Sequence, residues 1–411
     1  MSEMIFLLTK DCMSLESLPI YGNRVFSTPN INELASKGTV FNRHYTSAPG
    51  TSMALTAMLS GHYPYEFTDR KIYRHVKPSE FPSIFDHYQN EGYETHLIWD
   101  VRWMDLAWPF IREFGDEEVL KLHNLDICQP TGAGKDNDTP IVRDELLIRK
   151  TINTIEKELS AIDTTKNQFI FMHLPHVLQG RRCYMDDMEA FDEIVGFIRS
   201  FAGDNNIYLS TDHGHMNMHK GEVGYGFNVY EPVIHIPLIT PRLNGLKEVN
   251  YLTCNVDIPK LLINGEIPER EYVISESQYY FQPKRVTSII KGNLKYIYNK
   301  ETGNEELYDI LWDPYENYNI LQSGYFDDNR KKFLLYDEYY YYPQREDTLK
   351  RIDEFRQIKN SFWVEPTKKQ VNEYSSQIKR EQQKKRRNEK YGPFIQRMRD
   401  YYTICSHKLL K

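Results

Sequence analysis

The chain has 411 residues, enough for one large domain with an appendage or for two to three domains. Its 40% hydrophobic content suits a soluble protein with a core, and its formal charge of −7 excludes the basic field of a nucleic-acid binder. The five cysteines, Cys12, Cys128, Cys183, Cys254 and Cys405, form no C-x-x-C pair and are odd in number, which argues for reduced thiols in a cytoplasmic setting over a disulfide framework.

In chain order, "MSEMIFLLTKD" lacks the basic segment and cleavage site of a signal peptide, and no apolar run approaches the ~20 residues of a membrane span. Its "MIFLLT" reads as a buried parallel strand. "TPNINELASKG" (28–38) carries the Pro, apolar period and closing Gly of a short helix. A hydroxyl-rich start, an apolar run and an abrupt stop make "SAPGTSMALTAMLSGHYP" (47–64) a second helix. "PSIFDHYQNEGYETHLIWD" (82–100) reads as helix, turn and strand, and "IVRDELLIRKTINTIEKELSAI" (141–162) as a long amphipathic helix. "NQFIFMHLP", "MDDMEAFDEIVGFIRSFAG" and "NNIYLSTDHG" then give strand, helix, strand. This alternation predicts a mostly parallel sheet covered by helices on both faces, an α/β/α sandwich, over residues 1–284. "RVTSIIKGNLKYIYNKETGNEELYDI" predicts a small antiparallel subdomain over 285–324, and 325–411 is a charged, helix-prone tail. "TGAGKD" (131–136) is no phosphate loop, because Gln129 and Asp136 stand where Gly and Ser or Thr are needed.

Function in an open parallel sheet collects at the carboxyl ends of strands. Asp11 follows the first strand, Asp212 and His213 follow "IYLST", and Thr51 heads a helix. Two carboxylates and an imidazole are ligands for a divalent cation, and a helix N-terminus beside it would bind an anionic ester. Taken singly, the Asp residues read as turn formers and Thr51 as an N-cap.

The order of motifs resembles the sulfatase family of the alkaline phosphatase superfamily. Asp11 with "YGNRVFSTPNINELASKGTVFNRHYTSAP" is similar to the family's opening, "TSMALTAMLSGHYP" to its nucleophile helix, and "LSTDHGHM" to its later metal motif. "YEPVIHIPLIT" and "ELYDILWDPYENYNI" are similar to its later strands, so the resemblance spans roughly residues 4 to 321. It implies a nucleophile ten residues before Gly61, at Thr51. Sulfatases place Cys or Ser there, for oxidation to formylglycine, with Pro two and Arg four residues later; this chain has Thr51, Met53 and Leu55. Ser47-Ala48-Pro49 mimics the motif one helical turn too early. Threonine cannot yield the formylglycine aldehyde. The resemblance therefore favours the phosphorus branch, where an unmodified Thr attacks directly, as in lipoteichoic acid synthase and phosphoethanolamine transferases.

On this reading Asp11, Thr51, Asp212 and His213 hold one divalent cation (Mn, Mg, Ca or Zn), and a covalent phospho-Thr51 is resolved by water or an acceptor hydroxyl. The resemblance puts a His of "HLPH" at the substrate oxyanion or leaving group, with His176 the preferred residue and His173 a substrate-binding candidate; Arg102 in "IWDVRW" is a candidate clamp for the anionic group. His215, His219 and His235 are weaker candidates for a further ligand. The implied substrate is an anionic ester, glycan- or lipid-linked, and the basic tail around Lys384–Arg387 offers peripheral membrane contact. Sulfate-ester hydrolysis and a catalytically inactive binding protein stay open as alternatives.

Overall fold

A computed structural model describes residues 2–69, 74–75, 81–99, 120–125, 145–175, 184–278, 285–321 and 345–362. The chain divides into two compact units: Met1–Phe67 with Lys77–Ser361, and Thr68–Val76 with Phe362–Lys411. In the second unit the described elements include a short antiparallel strand pair, Thr68–Asp69 with Arg74–His75.

The larger unit is built on an eight-stranded sheet. Its order is Glu248–Val249, Thr39–Phe41, Ile239–Thr240, Ile207–Thr211, Met4–Lys10, Gln168–Leu174, Glu94–Trp99 and Leu120–Asn124. All neighbours run parallel except Ile239–Thr240, which is antiparallel to both of its partners. The central strand β1 (Met4–Lys10) shows why the sequence folds this way. Phe6 and Leu8 face a core with Ile148 and Ile155 of the helix Glu145–Ser160 and with Phe191 and Ile194 of the helix Tyr184–Ala202. Ile5 and Leu7 face the opposite core, with Leu55, Met58 and Leu59 of helix α2 (Thr51–Ser60) and Phe85 of the helix Ile84–Asn90. A strand buried on both faces must be apolar at every position, hence the unbroken run "IFLL". The result is the expected α/β/α sandwich.

Helix α1 (Pro29–Lys37) follows a Thr28 that makes no capping bond. Asp192 of the helix Tyr184–Ala202 caps it instead, accepting from the backbone N–H of Ile31 at 2.8 Å and of Asn30 at 3.1 Å and from Asn30 Nδ2 at 2.9 Å. The cap thus ties two helices of one layer together.

A four-stranded antiparallel sheet follows, in the order Tyr272–Gln278, Arg285–Lys291, Leu294–Asn299, Glu305–Asp309. It begins at Tyr272, ahead of the expected boundary at 285, and it belongs to the larger unit. Its first strand escapes sequence reading because Ser275, Glu276 and Ser277 are polar yet buried. Beyond it, the described part of the expected helical tail holds Arg345–Leu349 and Ile352–Phe362. Among the described residues no helix is long and apolar enough to cross a membrane.

Candidate active site

Three adjacent parallel strands, Ile207–Thr211, β1 and Gln168–Leu174, deliver Asp212-His213, Asp11 and His173 to one edge of the sheet. Lys10, wholly buried, anchors the end of β1 through an ion pair with Asp187 at 2.6 Å. Burial opposes the charge on Lys10, but Asp187 and Tyr184 outweigh it and raise its pKa. The "DHG" turn is sterically dictated, because a Cβ on Gly214 would lie 2.1 Å from the Pro232 carbonyl oxygen.

Four of the sequence-predicted residues converge. Thr51 Oγ1 lies 3.1 Å from His213 Nε2. The same nitrogen is 3.3 Å from Asp212 Oδ2 and 3.8 Å from Asp11 Oδ1. His213 Nδ1 is 2.9 Å from the Gly214 carbonyl oxygen, which can only accept, so Nδ1 carries a proton and Nε2 is the nitrogen turned to the carboxylates. Asp212 Oδ1 is occupied by the backbone N–H of His213 at 2.8 Å and of Cys12 at 3.3 Å. Asp212 Oδ2 is buried with no hydrogen-bond partner among the described residues.

Carboxylates crowded into a buried site repel one another unless positive charge sits among them. The donor chemistry fits a divalent ion, and the imidazole is oriented by a backbone carbonyl as metal-bound histidines usually are. Asp11, Cys12 and His213 each offer a ligand atom within 4.8 Å of the others. Cys12 is a member of this cluster that sequence reading passed over as one of five scattered thiols. Burial, with Asp11 and Asp212, pushes its pKa well up.

Thr51 is the first helical residue, not the cap. Gly50 occupies the N-cap with no side-chain bond, so the Thr51 hydroxyl is turned to His213. Asn255 holds the preceding loop: its Oδ1 accepts from Ser47 N at 2.9 Å and its Nδ2 donates to the Ala54 carbonyl at 3.0 Å. The antiparallel sheet adds a bond from Glu276 N to the Ser47 carbonyl at 3.0 Å. Tyr225 stacks on His213 with ring centroids 4.3 Å apart. Neither Asn255 nor Tyr225 carries a local sequence signal, since each acts across the fold.

His173 is buried, and its Nδ1 is 2.8 Å from Thr9 Oγ1 on the neighbouring strand. Burial lowers its pKa, against the pull of Asp212 and Asp11, so it is held neutral. His176 and Arg102 lie outside the described residues. His235 and His219 belong elsewhere, with Nδ1 of His235 2.9 Å from Glu231 and Nε2 of His219 3.9 Å from Glu316. His215 Nδ1 is 2.9 Å from Asn217. A cavity of about 360 Å³ lined by Tyr45, Glu231 and His235 is separate, with Asp11, Thr51, Asp212 and His213 absent from its lining.

Comparison with known proteins bears on the family and the fold. The family model "Sulfatase" matches residues 3–256. Arylsulfatase H of Canis lupus familiaris is 40% identical over 108 residues, covering 23% of this chain and 19% of that protein, so this chain spans about a fifth of the relative. Among solved structures, a candidate sulfatase from Bacteroides thetaiotaomicron superposes with a TM-score of 0.62 at 17% identity, covering 90% of this chain and 96% of its own. The phosphonate monoester hydrolase of Agrobacterium radiobacter superposes with a TM-score of 0.57 at 16% identity, covering 90% and 99%. By its family-model match over residues 3–256, the chain belongs to the sulfatase family.

Proposed function

We propose that the protein is a divalent-cation-dependent hydrolase or transferase of phosphoesters, with Thr51 as covalent nucleophile. The observation that carries this reading is Thr51 Oγ1, at the start of a helix and 3.1 Å from His213 Nε2, at a position where a sulfatase needs an oxidisable Cys or Ser. Asp11, Asp212 and His213 would hold the cation, which supplies charge neutralisation and a lower pKa for a nearby hydroxyl. The N-terminus of α2 orients the anionic ester. Thr51 Oγ1 gives its proton to solvent and forms a bond to phosphorus, the bond from phosphorus to the leaving oxygen breaks, and that oxygen takes a proton, for which His176 is the assigned donor. Water or an acceptor hydroxyl then attacks the phospho-threonine and loses a proton, while the bond from phosphorus to Thr51 Oγ1 breaks and Oγ1 takes a proton back. Arg102 clamps a non-reacting oxygen, and His173, neutral and tied to Thr9, lines the site. We assign the substrate as a phosphoester on a glycan or lipid head group, which the basic tail would approach at a membrane surface.

The phosphorus assignment has support in the fold shared with a phosphonate monoester hydrolase. The test is turnover of aryl phosphomonoesters, phosphodiesters and sulfate esters by the cation-loaded protein. Thr51→Ala is expected to lower phosphoester turnover by about 10³-fold or more while folding normally, and Thr51→Ser to keep part of it. Peptide mapping after trapping should place the phosphate on Thr51. Sulfate turnover exceeding phosphate turnover, or an adduct on Ser47 or Ser52, would overturn the reading. Ligand binding with no turnover at all would favour the inactive binding protein.

A further inference from the structure

We propose that Cys12 is a ligand of the cation at this site and biases the protein toward a thiophilic divalent ion, zinc or cobalt(II), over calcium or magnesium. This rests on the reading of the site as a cation centre and names the ion class that centre selects. Four observations carry it. Ligand atoms of Asp11, Cys12 and His213 lie within 4.8 Å of one another, and all three residues are buried. Cys12 adopts a left-handed backbone, with φ 60°, which a non-glycine residue holds only when its surroundings require it. Those surroundings are specific. Tyr184 Oη donates to the Cys12 carbonyl at 2.7 Å and accepts from Ser14 N at 2.9 Å, while Cys12 N donates to Asp212 Oδ1 at 3.3 Å. The turn is thus pinned from two elements, and it sets the thiol in the acidic cluster. Independently, Asp212 Oδ2 is fully buried without a hydrogen-bond partner among the described residues, 3.3 Å from His213 Nε2.

Carboxylates and waters alone make a hard site suited to calcium or magnesium, whereas a thiolate with an imidazole suits zinc and cobalt. On coordination the thiol gives its proton to solvent, so the set of Asp11, Cys12 and Asp212 becomes more anionic by one charge. Cys12 Sγ lies 3.8 Å from His213 Nδ1, inside the cluster, whereas Cys254, the other described cysteine, is buried too but lies outside it.

The experiment uses the full-length protein stripped with chelator and titrated with cobalt(II), zinc and calcium. Wild type should bind cobalt with a near-ultraviolet thiolate-to-cobalt charge-transfer band that saturates at one equivalent. Cys12→Ser should still bind cobalt, by elemental analysis, but without the band. Its zinc-over-calcium preference should fall by at least the roughly 10–100-fold that loss of outer-sphere partners costs. Cys12→Asp, which restores a negative oxygen ligand, should prefer calcium in thermal-shift titrations, and it covers the case in which the serine variant folds poorly. Cobalt bound without the band, or an equal zinc-over-calcium preference in wild type and both variants, would overturn the proposal and leave the cation centre standing. Failure of wild type to bind any of the three ions would overturn the centre itself and this proposal with it.

Discussion

At the carboxyl edge of the parallel strands, Asp11 and Asp212 gather around a histidine, and among the described residues no lysine or arginine forms an ion pair with Asp212. Where the antiparallel sheet meets the helix Glu231–Ile234, two other acids gather, but Lys295 Nζ sits between them, 3.0 Å from Glu231 Oε1 and 2.7 Å from Glu316 Oε1. His235 adds a contact to Glu231 at 2.9 Å, and Glu316 Oε2 accepts from the Glu231 backbone N–H at 2.8 Å. Burial opposes the charge on Glu231, but Lys295 and His235 outweigh it and hold its pKa at about 2. Burial, helped by Glu231, pushes Glu316 up to about 7 against the pull of Lys295. The second cluster carries its own cation and acts as a joint between the antiparallel sheet and that helix. The first, on our reading, takes its cation from outside. The same physics, buried acids needing a positive charge, thus separates a structural cluster from a functional one.

The comparison can be broken from either side. Lys295→Met should cost about 3–5 kcal/mol of unfolding free energy in urea, because it strands two buried carboxylates, yet the refolded protein should still bind the cation. Asp212→Asn should do the reverse. Thermal unfolding of the cation-free variant should match or exceed wild type, and the cation-dependent gain, about 2.7 kcal/mol at a hundredfold excess over Kd, should vanish. If Asp212→Asn destabilises the cation-free protein as Lys295→Met does, the two clusters are alike and the contrast fails.

Asn255→Ala should act on neither charge cluster but on the aim of Thr51. A loss on the order of 10-fold to 100-fold in kcat with little change in KM is expected from steady-state kinetics, since the loop before α2 loses its clamp. The smallest effect concerns a buried histidine away from both clusters. His96 lies between His123 at 2.9 Å and Gln168 at 2.8 Å, and burial, partly offset by Gln168, lowers its pKa to about 4. The unfolded chain takes up this proton near the ordinary 6.5, while the folded chain resists until about 4. Stability should therefore fall as pH drops through that window and level off below it. Melting curves across pH should show this slope, and His96→Gln should flatten it.

Much of this was legible in the sequence. Strand ends flagged Asp11 and the Asp212-His213 pair, because these signals are local, an apolar run that stops and a turn; Thr51 was singled out by the family resemblance, counted back from Gly61. What escaped was non-local. Asn255 acts on Ser47 across 208 residues, and Asp192 caps a helix that begins at Pro29. The strand Tyr272–Gln278 hid behind its buried Ser-Glu-Ser, and Cys12 behind the absence of a cysteine pair.

Helix α2 has a consequence in time as well as in space. Ser52 through Ser60 are all buried, Thr56 and Ser60 spend their hydroxyls on carbonyls one turn back at 2.7 Å each, and Gly61 closes the last turn onto Ala57. Such a segment opens only when the whole larger unit unfolds, so its amides should be among the slowest to exchange with deuterium. The group that would do the chemistry is then fixed to the most static part of the molecule, and the adaptation of this site to different esters over evolution is expected in the surrounding loops.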